Sequence, residues 1–207
     1  MNKKTNTKQL ALLGLLTALV VVLSNIVIPI NGLTITLNVI PVAIAAIALG
    51  PVGGAVIGGV FGICSFLQCM SILGTSPMGM FTFDINPALT FLQRFIPRVL
   101  DGFCVGLIFR LATKIMNEKV SCFITGFFAA FLNTVFFMSA LVIFFGNNAD
   151  FVEKYMGEKN ALAYIIGAIS INAVSEMAVA TIVAGAVGFA LYKAKLIEIP
   201  EKKVKTA

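Results

Sequence analysis

The chain has 207 residues, of which 59% are hydrophobic and only 12% charged, with a mean hydropathy of +1.00. That composition excludes a soluble enzyme or soluble binding domain and implies apolar runs that face lipid as well as one another. The net charge of +6 comes mostly from basic residues flanking those runs, a pattern of orientation beside anionic lipid that gives no hint of nucleic-acid binding.

Hydropathy divides a single membrane domain, residues 1–207, into about six segments. Residues 1–9 precede the first, which runs from Leu10 to Ile28 and is ended by Pro29 and the turn residues Asn31 and Gly32. The second, Asn38 to Leu49, stops at Gly50-Pro51. About a dozen residues are too few to cross a bilayer of roughly 30 Å as a straight helix. This segment is therefore either tilted and buried among its neighbours or extended through Leu33 to Leu37. The third, Val52 to Leu73, carries Gly53, Gly54, Gly58, Gly59 and Gly62. It lacks the Gly-Lys-Ser/Thr ending of a phosphate loop, so its glycines predict close helix packing.

The stretch from Gly74 to Asp84 follows. Gly74, Pro77 and Gly79 break helix there, while Met78, Met80, Phe81 and Phe83 are too apolar for a solvated loop. A lid over a mouth and a segment lying among headgroups both fit. The fourth apolar segment spans Asn86 to Phe109, the fifth Cys122 to Phe145 and the sixth Leu162 to Tyr192, before a tail at 196–207. With the N-terminus in the cytoplasm, eleven of the fifteen basic residues fall inside, and Lys154 and Lys159 outside are outnumbered by Asp150, Glu153 and Glu158. The positive-inside rule then gives an even number of spans. The expected fold is an all-α membrane protein of the cell membrane, a multi-pass bundle of about six transmembrane helices with both termini cytoplasmic. The first apolar run has no A-x-A-like site after it and reads as a span, not a signal peptide.

Polar residues at membrane depth are the candidate functional groups. Arg94 and Arg98 stand four apart in the fourth segment and share one helix face. A guanidinium stays charged and is costly in hydrocarbon, so each needs a partner. Asp101 at i+3 offers Arg98 an internal ion pair, while Arg94 has no acid at i±3 or i±4, which favours an anionic ligand. Gln68, Gln93, Asn133, Asn172 and Glu176 should face the bundle interior for the same reason. At 1.5 Å per residue, Arg94 lies about 12 Å and Arg98 about 18 Å below the outer end of the fourth helix, with Asn172 and Glu176 at roughly 15 and 21 Å on the sixth. Asn133 falls near mid-membrane on the fifth. The shared level suggests one cavity, although Asn133 and Asn172 also suit interhelical hydrogen bonds and Glu176 suits neutralising an arginine. There is no histidine, and the four cysteines form no C-x-x-C pair. No metal, cofactor or catalytic site is expected.

Three stretches, read together, resemble a known family. They are LNVIPVAIAAIALGPVGGAVIGGVFGICSFL (Leu37 to Leu67), FLQRFIPRVLDGF (Phe91 to Phe103) and NAVSEMAVATIV (Asn172 to Val183). In this order they are similar to the substrate-binding S components of energy-coupling factor (ECF) vitamin transporters, most closely the pantothenate-type branch. The resemblance implies a six-helix protein that captures a vitamin near the outer side and catalyses nothing itself. Its partners would be a transmembrane coupling subunit and two cytoplasmic ATPases. It also implies a small-residue docking motif on the first helix, for which Gly14 with Ala18, and Ala11 one residue off register, are the nearest match. Pantothenate suits the pocket: an arginine for its carboxylate, Asn133 and Asn172 for its amide and hydroxyls, Phe66, Phe95 or Phe136 around its methyl groups. An S component for another vitamin such as folate or riboflavin, and a stand-alone proton-coupled carrier of a small organic anion with Glu176 carrying the proton, are the alternatives.

Overall fold

The computed structural model describes residues 7–26, 28–30, 33–35, 37–157, 160–168 and 171–194, and the same side chains except those of 28–35, 161, 164, 165, 168, 171 and 172. Helix α1 (Thr7–Ser24) is followed by a hairpin of β1 (Ile28–Ile30) and β2 (Leu33–Ile35), then by α2 (Val39–Cys69), α3 (Pro77–Ile85), α4 (Pro87–Ile115) and α5 (Glu118–Phe145). A short α6 (Ala149–Phe151) runs into a π-helical turn at Val152–Met156, and α7 (Ala161–Ala168) and α8 (Ile171–Lys193) complete the order. Helices α1, α2, α5 and α8 are long and apolar enough to cross a membrane. Helix α4, 29 residues long, holds Arg94, Arg98, Asp101 and Arg110 within its length.

Several segments differ from the sequence expectation. The first helix stops at Ser24, and β1 pairs antiparallel with β2 in the register Ile28–Ile35, Pro29–Thr34, Ile30–Leu33. Leu33–Ile35 is thus strand, and the second segment does not extend through it as helix. The stretch after Gly74 is helical from Pro77, because Ser76 caps it, with its Oγ accepting the Gly79 N–H at 3.3 Å, and proline fits the first turn. The expected turn residues Asn31 and Gly32, and the tail at 196–207, lie outside the described residues.

Helix α2 is folded back on itself. Gly50 has φ 74° and ψ −166°, a conformation open to glycine, with proline next. Both ends of the element meet Ser24. Asn38 Nδ2 donates to Ser24 Oγ at 3.0 Å, and Gln68 Nε2 donates to the Ser24 carbonyl at 2.7 Å. A straight helix of 31 residues would hold its ends about 45 Å apart, so the two halves run antiparallel. Val39 to Ile47 are all buried. The dozen-residue segment is therefore the central rod of the bundle, apolar on every side because every side meets protein.

Against the second half of α2 lies α4. A Cβ on Gly54 would run into the carbonyl oxygen of Gly102, one on Gly58 into that of Arg98, one on Gly62 onto the Phe95 backbone at 2.9 Å, and one on Gly106 onto Pro51 at 2.5 Å. These pairs descend one helix as they climb the other, so the helices are antiparallel and in backbone contact, as the glycine-rich run predicts. Smaller approaches of Gly126 to Ala180 and of Gly185 to Phe123 join α5 to α8.

Gly58→Ala places a methyl where only the Arg98 backbone could yield, and should cost about 1–3 kcal/mol. Gly14→Ala, where a Cβ meets nothing within 4 Å, should not. Thermal unfolding in detergent checks the pair; equal midpoints would show that the α2–α4 contact does not depend on glycine.

Candidate functional site

The buried stripe of α4 is mostly polar in one half and mostly small or apolar in the other. Thr90, Gln93, Arg94, Pro97, Arg98 and Asp101 occupy the half nearer Pro87, and Gly102, Val105, Gly106, Phe109, Ala112 and Thr113 the rest. Their spacing follows one face of a helix. Sequence and fold thus place a cluster of buried polar side chains toward one end of the bundle, the end at which α3 sits.

Arg94 and Arg98 are each 5% exposed. Both guanidinium groups lie over the ring of Phe137 on α5, at 4.9 Å for Arg94 and 4.0 Å for Arg98, and Arg98 also faces Phe61 at 5.2 Å. Cation–π contact in a desolvated site stabilises each by roughly 2 kcal/mol, which offsets only part of the burial cost. Arg94 Nη1 donates to Ser65 Oγ at 3.4 Å and Nη2 to Ser76 Oγ at 3.5 Å, both at the long limit of a hydrogen bond. Its Nε, and Nε and Nη1 of Arg98, have no hydrogen-bond partner among the described residues. Neither does Oδ1 of Asp101, so the expected internal pair of Arg98 with Asp101 is not formed as a hydrogen bond. Cys69 lies beside Arg94, its Sγ donating to the Ser65 carbonyl at 3.3 Å.

Asn133 stands one turn from Phe137 on α5, 7% exposed, with its Oδ1 unpartnered. Gln93 is fully buried, donates Nε2 to the Phe137 carbonyl at 3.5 Å and leaves Oε1 free of partners. Glu176, half-buried on α8, acts on the charge of Arg98. Asn172 lies in the first turn of α8, and its side chain is outside the described residues. Gln68 is engaged elsewhere, holding the end of α1 through Ser24. Five of the six expected residues thus have described side chains, and of those five Arg94 and Arg98 meet over Phe137, with Asn133 one turn away on the same helix.

Phe137, Ser65 and Ser76 were missed by sequence reasoning. Phe137 is flanked by Phe136, and only the helix phase set by Asn133 distinguishes them. Of the phenylalanines expected around a ligand, Phe66 and Phe95 instead join a ladder with Phe83 and Phe91, at centroid separations of 5.2–5.8 Å.

Helix α3 closes the site. A Cβ on Gly79 would stand 2.8 Å from Arg94 Nη2 and 2.6 Å from Cys69 Sγ. On its other side Lys154 Nζ lies 4.1 Å over the Phe81 ring, and Phe81 meets Tyr155 edge-on at 5.4 Å. Burial pushes the Tyr155 phenol above its ordinary value, so it remains neutral here. Met78, Phe81 and Ile85 pack on Leu141, Phe145, Phe151 and Met156, which anchors α3 to the α5–α6 corner.

Residues 8–188 match the family model described as ECF transporter, substrate-specific component. The chain belongs to that family. Two curated proteins are similar to it. One is the pantothenic acid transporter PanT of Lactococcus lactis subsp. cremoris, 29% identical over 165 residues, covering 75% of this chain and 76% of that one. The other is the pantothenate transporter PanT of Leuconostoc mesenteroides subsp. mesenteroides, 33% identical over 153 residues, covering 71% and 70%. This substrate-specific component is a membrane transport protein and not an enzyme.

Arg94 has no acidic residue in the first turn of α3 or of α4 beside it. Removing a buried charge that no described acid neutralises should not destabilise the fold, because an apolar side chain of similar volume fills the space without desolvation cost. Arg94→Met should therefore leave the thermal midpoint in detergent unchanged or raise it. A fall of several degrees would make Arg94 a structural residue.

Proposed function

We propose that the chain is the substrate-capture subunit of an ATP-driven ECF-type importer and binds pantothenate from the outside. The carrying observation is Arg94, a buried guanidinium with loosely held N–H groups and no acid beside it among the described residues, in a chain whose relatives are pantothenate transporters. A single carboxylate is the partner such a group lacks, and it can be taken bidentately. Arg98 adds positive potential from below. Asn133 and Asn172 serve the amide and hydroxyls, and Glu176 balances Arg98 or meets a hydroxyl. Gln68 enters only if its hold on Ser24 is released.

In this reading the chain is one membrane domain of the cell membrane. It has six crossings, α1, the two halves of α2, α4, α5 and α8, with both termini cytoplasmic. Antiparallel contact between successive rods and the placement of basic residues support it. The partners are a transmembrane coupling subunit and two ATPases. Ala11, Gly14 and Ala18 are all exposed on α1, and an added Cβ at Gly14 meets nothing within 4 Å, which suits a face kept small for another helix.

Calorimetric titration of the detergent-purified chain tests the ligand. Saturable pantothenate binding is expected, weakened by about tenfold to a hundredfold or more in Arg94→Ala, as for loss of a charged hydrogen-bonding partner. Binding of a different vitamin alone would replace the ligand. Gly14→Leu separates capture from coupling. It should bind pantothenate as the unsubstituted chain does, yet lose ATP-dependent uptake with the coupling module. Proton-driven uptake by the lone chain would sink the S-component mechanism.

A further inference from the structure

The corner around the Arg94 guanidinium contains donors without acceptors, a property that goes beyond the presence of one arginine. Ser76 Oγ accepts from Gly79 N at 3.3 Å and from Arg94 Nη2 at 3.5 Å. Both its lone pairs are thereby used, and only its proton remains to be placed. Ser65 Oγ accepts from Nη1 at 3.4 Å. Neither hydroxyl donates a hydrogen bond among the described residues. The N-terminus of the nine-residue α3 adds partial positive charge to the same corner.

The distances suit a third atom. An N–H to hydroxyl separation of 3.4–3.5 Å is long for a direct bond. It is the right base for a triangle whose apex is an oxygen about 2.8 Å from the nitrogen and about 2.7 Å from the hydroxyl. Two such triangles stand side by side, one on Nη1 with Ser65 and one on Nη2 with Ser76. A carboxylate has two oxygens, each able to accept two hydrogen bonds in its plane.

Resting on the pantothenate reading above, we propose that Ser65 and Ser76 complete the carboxylate clamp of Arg94. Each carboxylate oxygen takes one guanidinium N–H and one serine O–H. Ser65 belongs to α2, Arg94 to α4 and Ser76 to the cap of α3, so a bound carboxylate ties three elements together and fastens α3 over the ligand. Gly79 is part of the same design. A Cβ there would stand 2.8 Å from Arg94 Nη2 and 2.9 Å from Ser76 Oγ, so one or both of these groups would have to shift. The two serines are thus specificity residues that favour a ligand ending in a carboxylate over its uncharged alcohol or amide.

The test is calorimetry of pantothenate on the full detergent-purified chain. Ser65→Ala and Ser76→Ala should each bind about tenfold more weakly, as expected for loss of one hydrogen bond to a charged group. Because Ser76 also caps α3, two further variants separate capping from ligand contact. Ser76→Asn and Ser76→Asp both cap well, but the aspartate offers an anion where the carboxylate needs a donor. Ser76→Asp should bind at least tenfold more weakly than Ser76→Asn at equal thermal midpoints. Equal affinity of that pair, or Ser→Ala variants within twofold of the unsubstituted chain while Arg94→Ala loses binding, would overturn the serine clamp and leave the vitamin reading standing. No pantothenate binding by the unsubstituted chain would instead overturn that reading, and the serine clamp with it.

Discussion

The structure is organised around a buried charge, Arg94, that no acidic residue neutralises among the described residues. Arg94 sits 5% exposed under α3, with an aromatic face for company and two serine oxygens at the limit of bonding distance. Desolvating a guanidinium costs several kcal/mol, and one cation–π contact returns roughly 2. The balance must come from packing elsewhere. Close packing is therefore needed around Arg94: a soft pocket would let water reach the arginine or let the side chain swing out to the headgroups.

Rigidity comes from backbone contact between α2 and α4. In lipid no hydrophobic force draws helices together, so close approach at glycine does the work through dispersion. The crossing points are Gly54 on Gly102 and Gly58 on Arg98, which means that the residue carrying the second guanidinium is itself a packing point. Its backbone is pinned against α2, and its side chain can leave only toward Phe61 and Phe137. Fold and site are therefore one construction. The fold-back at Gly50 serves it as well, returning the chain so that Ser65 and Cys69 stand beside the half of α4 nearer Pro87.

Much of this was legible in the residues. The interruption at Gly50-Pro51, the packing role of the glycine run and the inward-facing arginines follow from chain chemistry that acts locally, and the structure has all three. The hairpin at Ile28–Ile35 was hidden because its residues are as apolar as the helix before it, and hydropathy cannot separate strand from helix over three residues. Helix α3 was obscured by Gly79, which reads as a breaker. In the fold, that glycine is what lets a capped helix lie on Arg94. Phe137 and the two serines were invisible for a deeper reason. Serine is common in helices and phenylalanine abounds in this chain, so only the juxtaposition of α2, α3, α4 and α5 gives those side chains their meaning.

The absence of an acid beside Arg94 among the described residues also bears on what kind of transporter such a site can serve. A carrier that works alone must return empty, and an unneutralised guanidinium resists crossing the bilayer centre. Pairing it internally would ease the return but would compete with the ligand for the same nitrogens. A subunit moved by partners that hydrolyse ATP escapes that conflict, since the energy to reorient comes from outside the chain. Its site can remain short of an anion and be tuned for capture alone. Leaving Arg94 with serines in place of a carboxylate is the arrangement expected when affinity matters more than ease of turnover. On the proposed reading, specificity of uptake would rest in a corner of one small helical protein, and the work of translocation in its partners.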